Sequence, residues 1–132
     1  MLASLGVILA TAAAWGLGAF WYGALAEPWM QASGVPRDDS GKPKGGQNPL
    51  MYVASFVMIL AVAGMMRHIF ASGGIDGIVI GLVSGGGIGL FVISPWIALN
   101  NMYGMRPVKL TLIDGGYATS GCAAMGLVLG IF

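Results

Sequence analysis

The sequence has one cysteine and one histidine among its 132 residues. A single cysteine, Cys122, excludes an internal disulfide framework and any zinc site built from cysteines alone. His68 supplies only one of the three or four protein ligands that zinc sites use. We therefore expect no metal ion and no cofactor.

Charged side chains are also scarce. They make up 8% of the chain, and six Lys and Arg against five Asp and Glu leave a formal net charge of +1. Soluble domains average roughly 25% charged residues, so this chain lacks the material to cover a water-facing surface. The small positive charge does not favour nucleic-acid binding. Because no catalytic triad, phosphate loop or nucleotide fingerprint is present, we expect no enzyme activity.

Hydrophobic residues and glycine are abundant, at 57% of the chain and 23 residues. A helix needs about 20 mostly apolar residues to cross a hydrocarbon core about 30 Å thick. Four segments meet that need, and short connections between them favour antiparallel neighbours. The sequence predicts one all-α domain over residues 1–132, an integral membrane four-helix bundle running up-down-up-down in the lipid bilayer. Its spans are about 3–25, 49–66, 77–100 and 108–132.

Several residues are expected to mark where the spans begin or bend. Asn48 and Pro49 are typical of a helix N-cap and first position. Asp76 is placed to cap the positive end of the third span. Pro95 cannot donate to the carbonyl of Phe91, which predicts a distortion inside that span. Arg67 and His68 are expected to close the second span.

The segment 27–47 is rich in proline, glycine and mixed charge, and it predicts a solvated loop. By the positive-inside rule, the end of the bundle with more Lys and Arg lies in the cytoplasm. The first and third connections share an end that carries five such residues, whereas the opposite end has Arg67 alone. We therefore expect a multi-pass protein of the cytoplasmic membrane, with both termini outside. The five basic residues are Arg37, Lys42, Lys44, Arg106 and Lys109.

Small residues recur at every fourth position along three of the four spans. Such spacing lets helix backbones approach closely, so it predicts glycine-zipper packing. The contacts lie either within the bundle or between subunits. Three stripes exceed what a small bundle needs, which favours a homo-oligomer or a subunit of a larger membrane complex. The stripes are Gly73, Gly77, Gly81, Gly85 and Gly89; Ala118, Cys122, Gly126 and Gly130; and Gly6, Ala10, Ala14 and Gly18.

Asp114 is the only acidic residue inside a predicted span. Ionisable residues within the membrane are candidates for functional sites. The alternatives are an ion pair with Lys109 or Arg106, or a neutral hydrogen-bonded carboxyl. The topology brings further polar residues to the same end, where they line a candidate site or form the usual interfacial belt of aromatic residues. The candidate site is Asp114, Tyr117, Asn100, Asn101, Trp21 and Tyr22.

The run Gly18-Ala-Phe-Trp-Tyr-Gly-Ala-Leu25, followed by Pro28-Trp29-Met30, resembles a known family. Its members are small bacterial membrane proteins classed as domain of unknown function 1761. The resemblance covers essentially the whole chain and implies three further spans, the last with polar residues near its start, matched here by Asp114-Gly-Gly-Tyr117. The loop 27–47 is longer and more polar than the family's usual link. The resemblance implies a fold and a membrane location, and no activity.

Two functions follow from these features. The first is a structural or accessory membrane protein that associates with itself or with a larger complex. The second is a small transporter or binder of an ion or amphiphile, with its polar site around Asp114. A cavity that connects Asp114 and Asn100 to the cytoplasmic face would favour the second function.

Overall fold

The computed structural model describes residues 1–46 and 48–132. This part of the chain is helical, and it contains no strand beyond an isolated bridge between Arg37 and Pro43. A π-helical turn at Gly89–Ile93 joins the fourth and fifth helices into one segment. The predicted all-α bundle is therefore confirmed. The helices are α1 Leu2–Ala24, α2 Ala26–Ser33, α3 Pro49–Gly73, α4 Ile78–Ile88, α5 Ser94–Tyr103 and α6 Val108–Ile131.

Four helical segments are long and apolar enough to cross a membrane. They contain 23 to 26 residues each, with mean hydropathy between 1.2 and 2.0. At 1.5 Å per residue they reach roughly 35–39 Å, which exceeds a hydrocarbon core of about 30 Å. Large apolar side chains, such as Val79 and Phe91, remain about three-quarters exposed on their outer faces. Such faces are suited to contact with lipid.

The predicted end of the second span at Met66 is wrong, because α3 continues to Gly73. Phe70 is fully buried in this extension, and Gly74 ends the helix in the left-handed conformation that glycine favours. Arg67 lies inside the helix, and its Nη1 donates to the carbonyl oxygen of Leu129 at 3.1 Å. The same carbonyl accepts from the Phe132 amide at 3.2 Å, and the positive charge of Arg67 lies where the dipole of α6 favours it.

Two further predictions about helix ends have opposite outcomes. The Asn48 side chain accepts a hydrogen bond from the Leu50 amide at 3.0 Å, with Pro49 at the first helical position, as predicted. Asp76 does not cap the third span. Gly77 is the N-cap of α4, and no side chain among the described residues hydrogen-bonds to that end of the helix.

The predicted solvated loop 27–47 is wrong in its first part, where α2 forms and ends at Gly34 with φ +69°. Glu27 lies in the first turn of α2, a position that the helix dipole favours for an acidic residue. The following residues form tight turns around Asp38, whose carboxylate accepts hydrogen bonds from the amides of Ser40 and Lys42. Gln47, the last residue of the predicted loop, lies outside the described residues.

The sixth helix is the centre of the bundle. It packs against α1 on one side and against α4 and α5 on the other, while α3 packs mainly against α1. Gly6 lies beside Phe132 and Gly18 beside Tyr117, so α1 and α6 run in opposite directions. The core lies where α1, α3 and α6 meet. Its buried residues are Ala10, Ala14, Ala63, Met66, Phe70, Cys122, Met125 and Leu129.

The backbones of α4 and α6 are in direct contact. A Cβ atom on Gly81 would overlap the carbonyl oxygen of Gly126, and a Cβ on Gly126 would overlap the carbonyl oxygen of Gly81. The same holds for Gly85 with the carbonyl of Cys122. Glycine carries a hydrogen in that direction, so these pairs are placed for weak Cα–H···O=C bonds.

The small-residue stripes face the interior of this one chain. Gly89 lies against Ala118, Gly77 lies against Gly130, and Ala10 and Ala14 are buried in the core. Gly73 ends α3, so the series of five glycines does not belong to one helix. The small-residue stripes therefore make their contacts within a single copy of the chain. They do not by themselves indicate a homo-oligomer.

Replacing Gly85 with alanine is expected to lower the free energy of unfolding by about 1–3 kcal/mol, because the new methyl group forces α4 and α6 apart. The matched control is Gly87→Ala in the same helix, where a Cβ meets nothing within 4 Å. That control is expected to raise stability by about 0.5–1 kcal/mol through helix propensity. The measurement is reversible unfolding in detergent micelles, and equal stabilities of the two variants would contradict the α4–α6 contact.

Candidate functional site

Four of the six predicted site residues meet between α1 and α6. The Tyr22 hydroxyl donates to Oδ1 of Asp114 at 2.7 Å. The Tyr117 hydroxyl donates to the carbonyl oxygen of Ala14 at 2.7 Å, and Trp21 Nε1 donates to a carbonyl oxygen of α6 at 2.9 Å. Each of these bonds joins α1 to α6. The carboxyl group of Asp114 is therefore hydrogen-bonded to a hydroxyl rather than paired with Lys109 or Arg106.

Aromatic rings surround the Tyr22–Asp114 hydrogen bond. The ring of Tyr22 meets Tyr117 edge-on, with centroids 5.4 Å apart, and meets Trp29 of α2 at 5.9 Å. Edge-to-face pairs at these distances are favourable beyond the apolar area that they bury. The short helix α2 thus forms one side of the cluster through Trp29. The prediction of a continuous solvated loop over 27–47 did not include this contact.

Basic side chains hold α2 and its connection in place. The Arg106 guanidinium donates to the carbonyl oxygen of Ser33, the last residue of α2. Arg37 donates from both terminal nitrogens to the two carboxylate oxygens of Glu27, at 3.0 and 3.2 Å. These hydrogen bonds hold the pKa of the Glu27 carboxyl below its usual range. The pair is solvent-exposed, so it shapes the loop more than it stabilises the fold.

The two asparagines lie apart from this cluster. Asn101 Nδ2 donates to Oγ1 of Thr111 at 3.0 Å, which joins α5 to the first turn of α6. The side chain of Asn100 is exposed. The single polar site expected from the sequence is therefore divided between two helix interfaces, with Asp114 bonded across one and Asn101 bonded across the other.

A groove of about 630 Å³ lies on another face of α6. Asp114 and Asn100 do not line it. Asp114 lies two residues from both Leu112 and Gly116, and therefore about 200° around the helix from each. The groove is lined by Leu90, Ser94, Pro95, Ala98, Thr111, Leu112, Gly115, Gly116, Thr119, Ser120 and Ala123.

The sequence contains signals for this groove that the prediction did not use. Pro95 follows the π-helical turn 89–93. There the Ser94 amide donates to the carbonyl oxygen of Gly89, five residues earlier, whereas an α-helix would pair it with the residue four earlier. Such a turn widens the helix where proline lacks a donor. Gly115, which has no side chain, then lies opposite Ser94 of α5, while the neighbouring Gly116 leaves room for the ring of Trp21 of α1. The sequence signal for the groove is that Gly115 and Gly116 do not belong to the series of small residues at every fourth position of α6.

Among residues 1–46 and 48–132, no three His, Cys, Asp or Glu side chains lie close enough together to hold a metal ion. The arrangement instead offers hydrogen-bonded aromatic residues at one interface and an open, mainly apolar groove at another. Together with four apolar helices of membrane-crossing length, this arrangement defines a multi-pass α-helical membrane protein.

The chain belongs to the family described as "Protein of unknown function (DUF1761)", which it matches over residues 5–130. This match confirms the family that the Trp-Tyr-Gly segment predicts. No curated protein and no solved structure matches the chain. The segment that carries the family resemblance has a structural role. Its residues Trp21, Tyr22 and Trp29 all make contacts where α1, α2 and α6 meet.

Replacing Tyr22 with phenylalanine removes the hydroxyl that bonds to Asp114 and keeps the ring contacts. We expect the free energy of unfolding in micelles to fall by about 0.6–1.7 kcal/mol, the range of side-chain hydrogen bonds between membrane helices. Tyr103→Phe is the control, because this side chain is 85% exposed. If the two variants were equally stable, the Tyr22–Asp114 bond would contribute nothing to helix association.

Proposed function

We propose that the protein is a non-catalytic accessory membrane protein, which acts by associating with its own copies or with a larger membrane complex. One observation carries this proposal. The polar side chains of the candidate site are bonded within the chain, as Tyr22 is to Asp114 and Asn101 is to Thr111. They therefore serve to hold helices together, which is the usual role of polar side chains between packed membrane helices.

The packing of α6 argues against a pathway through the bundle. A substrate that crossed between α4 and α6 would have to separate backbones that touch at Gly81, Gly85 and Gly126. Between α1 and α6, the side chains of Trp21 and Tyr117 fill the interface and donate to backbone carbonyls. Opening either interface would break several of these contacts together.

The surface left for a partner consists of large apolar side chains. Because the small residues are used inside the chain, association depends on the outer faces of α3, α4 and α5. Exposed side chains on these faces and on the π-helical turn include Val79, Val83, Phe91 and Trp96, each at least 63% exposed. Their broad apolar surface is compatible with lipid and with another membrane helix.

The distribution of basic residues supports a cytoplasmic position for the end that carries α2. Arg37, Lys42 and Lys44 follow α2, and Arg106 and Lys109 lie where α5 connects to α6. Arg67 is the one basic side chain at the opposite end. By the positive-inside rule, this proposal places both termini outside and the protein in the cytoplasmic membrane.

The accessory role predicts a stable complex in native membranes. Purified gently, the protein is expected in a particle whose protein mass exceeds the 13.5 kDa of one chain, as several copies or with a second protein at fixed stoichiometry. The measurement is light scattering with refractive-index correction for detergent. A particle that contains a single chain and no other protein would contradict the proposal.

A second measurement separates this role from ion transport through Asp114. Asp114→Asn keeps an oxygen that accepts from Tyr22, so the mass of the complex is expected to stay unchanged. In vesicles that contain a pH-sensitive dye, we expect wild type and variant to show the proton flux of protein-free vesicles. Proton flux in wild type that Asp114→Asn abolishes would favour the transporter instead.

A further inference from the structure

The groove between α5 and α6 has the dimensions of one leaflet. It extends along α6 from Thr111 to Ala123, twelve residues and so about 18 Å. It begins within one turn of the start of α6 and ends inside the bundle. A single leaflet supplies about half of a hydrocarbon core of about 30 Å. A partner helix that crossed the whole membrane would need a longer surface.

The walls of the groove are apolar despite their hydroxyl residues. Ser94 Oγ donates to the carbonyl of Gly115 at 3.0 Å, and Thr119 Oγ1 donates to the same carbonyl at 2.8 Å. Ser120 Oγ donates to the carbonyl of Gly116 at 2.8 Å. These three hydroxyl groups donate to the backbone, and the surface that lines the groove is mainly apolar. Such a surface suits a hydrocarbon chain.

A positive charge lies at the end of this groove. Lys109 is exposed, and among the described residues it has no carboxylate within 4.0 Å, since Arg37–Glu27 is the ion pair found there. Lys109, Leu112, Gly116, Ser120 and Ala123 follow a helical spacing of three and four, which puts them on one face of α6. The lysine therefore stands on the groove face, at the membrane boundary.

We propose that the α5–α6 groove binds one acyl chain of an anionic phospholipid, and that Lys109 binds the lipid's phosphate at the mouth of the groove. The hydrocarbon lies along Ala98, Leu112 and Gly116. The positive end of the α6 dipole adds to the attraction for the headgroup. Asp114 faces away from this opening, so no carboxylate of α6 competes for the lysine. This site is independent of the accessory role proposed above.

Native mass spectrometry of the full-length protein in mild detergent tests the headgroup. The added lipids are dioleoyl-phosphatidylglycerol, which is anionic, and dioleoyl-phosphatidylcholine, which is zwitterionic. A basic residue at a membrane surface is worth about a fivefold preference for anionic lipid. We expect Lys109→Gln to remove that preference and the loop variant Lys44→Gln to keep it. A preference that is absent from wild type, or unchanged in Lys109→Gln, would overturn the proposal.

Filling the groove tests the acyl-chain position. Ala98→Phe is expected to reduce retention of both lipids severalfold, while Ala61→Phe, on an exposed face of α3, leaves it unchanged. If Ala98→Phe does not fold, Leu112→Trp replaces it, since Leu112 is 69% exposed and tolerates enlargement. Retention equal to wild type in the folded groove variant would overturn the proposal. So would a wild-type dimer that the same variant dissociates, because a second copy would then occupy the groove.

Discussion

The contact between the backbones of α4 and α6 is the constraint on which the rest of this structure depends. In lipid, helices gain little from burying apolar side chains, since the surrounding chains are equally apolar. Close packing and weak Cα–H···O=C bonds must supply the attraction instead. Gly81, Gly85 and Gly126 allow this approach because they lack a Cβ atom. A Cβ atom at any of these positions would overlap the facing backbone and force the helices apart.

This contact places α6 at the centre of the bundle and determines what its remaining faces do. With one face against α4, a second face meets α1 through Trp21, Tyr22 and Tyr117. The two helices then hold Asp114 at an interface rather than on a lipid-facing surface. Toward the end that carries α2, α5 contacts α6 through the side chains of Ser94 and Asn101 instead of through the backbone. The groove opens where that change occurs.

The composition and the four apolar segments were sufficient to predict the all-α bundle, and the resemblance carried by the Trp-Tyr-Gly segment predicted the family. The N-cap at Asn48 followed from local chemistry, which the sequence expresses directly. The end of α3 did not, because Arg67 is tolerated in the helix through its bond to Leu129, sixty-two residues away. The helix α2 was missed for a related reason. Its stability depends on Trp29 meeting Tyr22 and on Arg106 bonding to Ser33, and no local pattern reveals those partners.

The candidate site was predictable in part. The structure brings Asp114, Tyr117, Trp21 and Tyr22 together, since antiparallel helices bring the end of α1 to the start of α6. Asn100 and Asn101 were placed with them because they share the same end of the bundle. A shared end of the bundle determines the depth of a residue in the membrane, but it does not determine the direction in which the residue points around its helix. The groove depends on the π-helical turn before Pro95. This turn changes the direction in which every later residue of α5 points around the helix axis.

Solid-state NMR of the protein in lipid bilayers, with glycine labelled at the α-carbon, measures the central contact directly. We expect cross-peaks between Gly81 and Gly126 and between Gly85 and Gly126, each lost when the corresponding glycine of α4 is replaced. Bilayer spectra of the folded protein without these cross-peaks would show that the backbones of α4 and α6 are held apart, which contradicts the account.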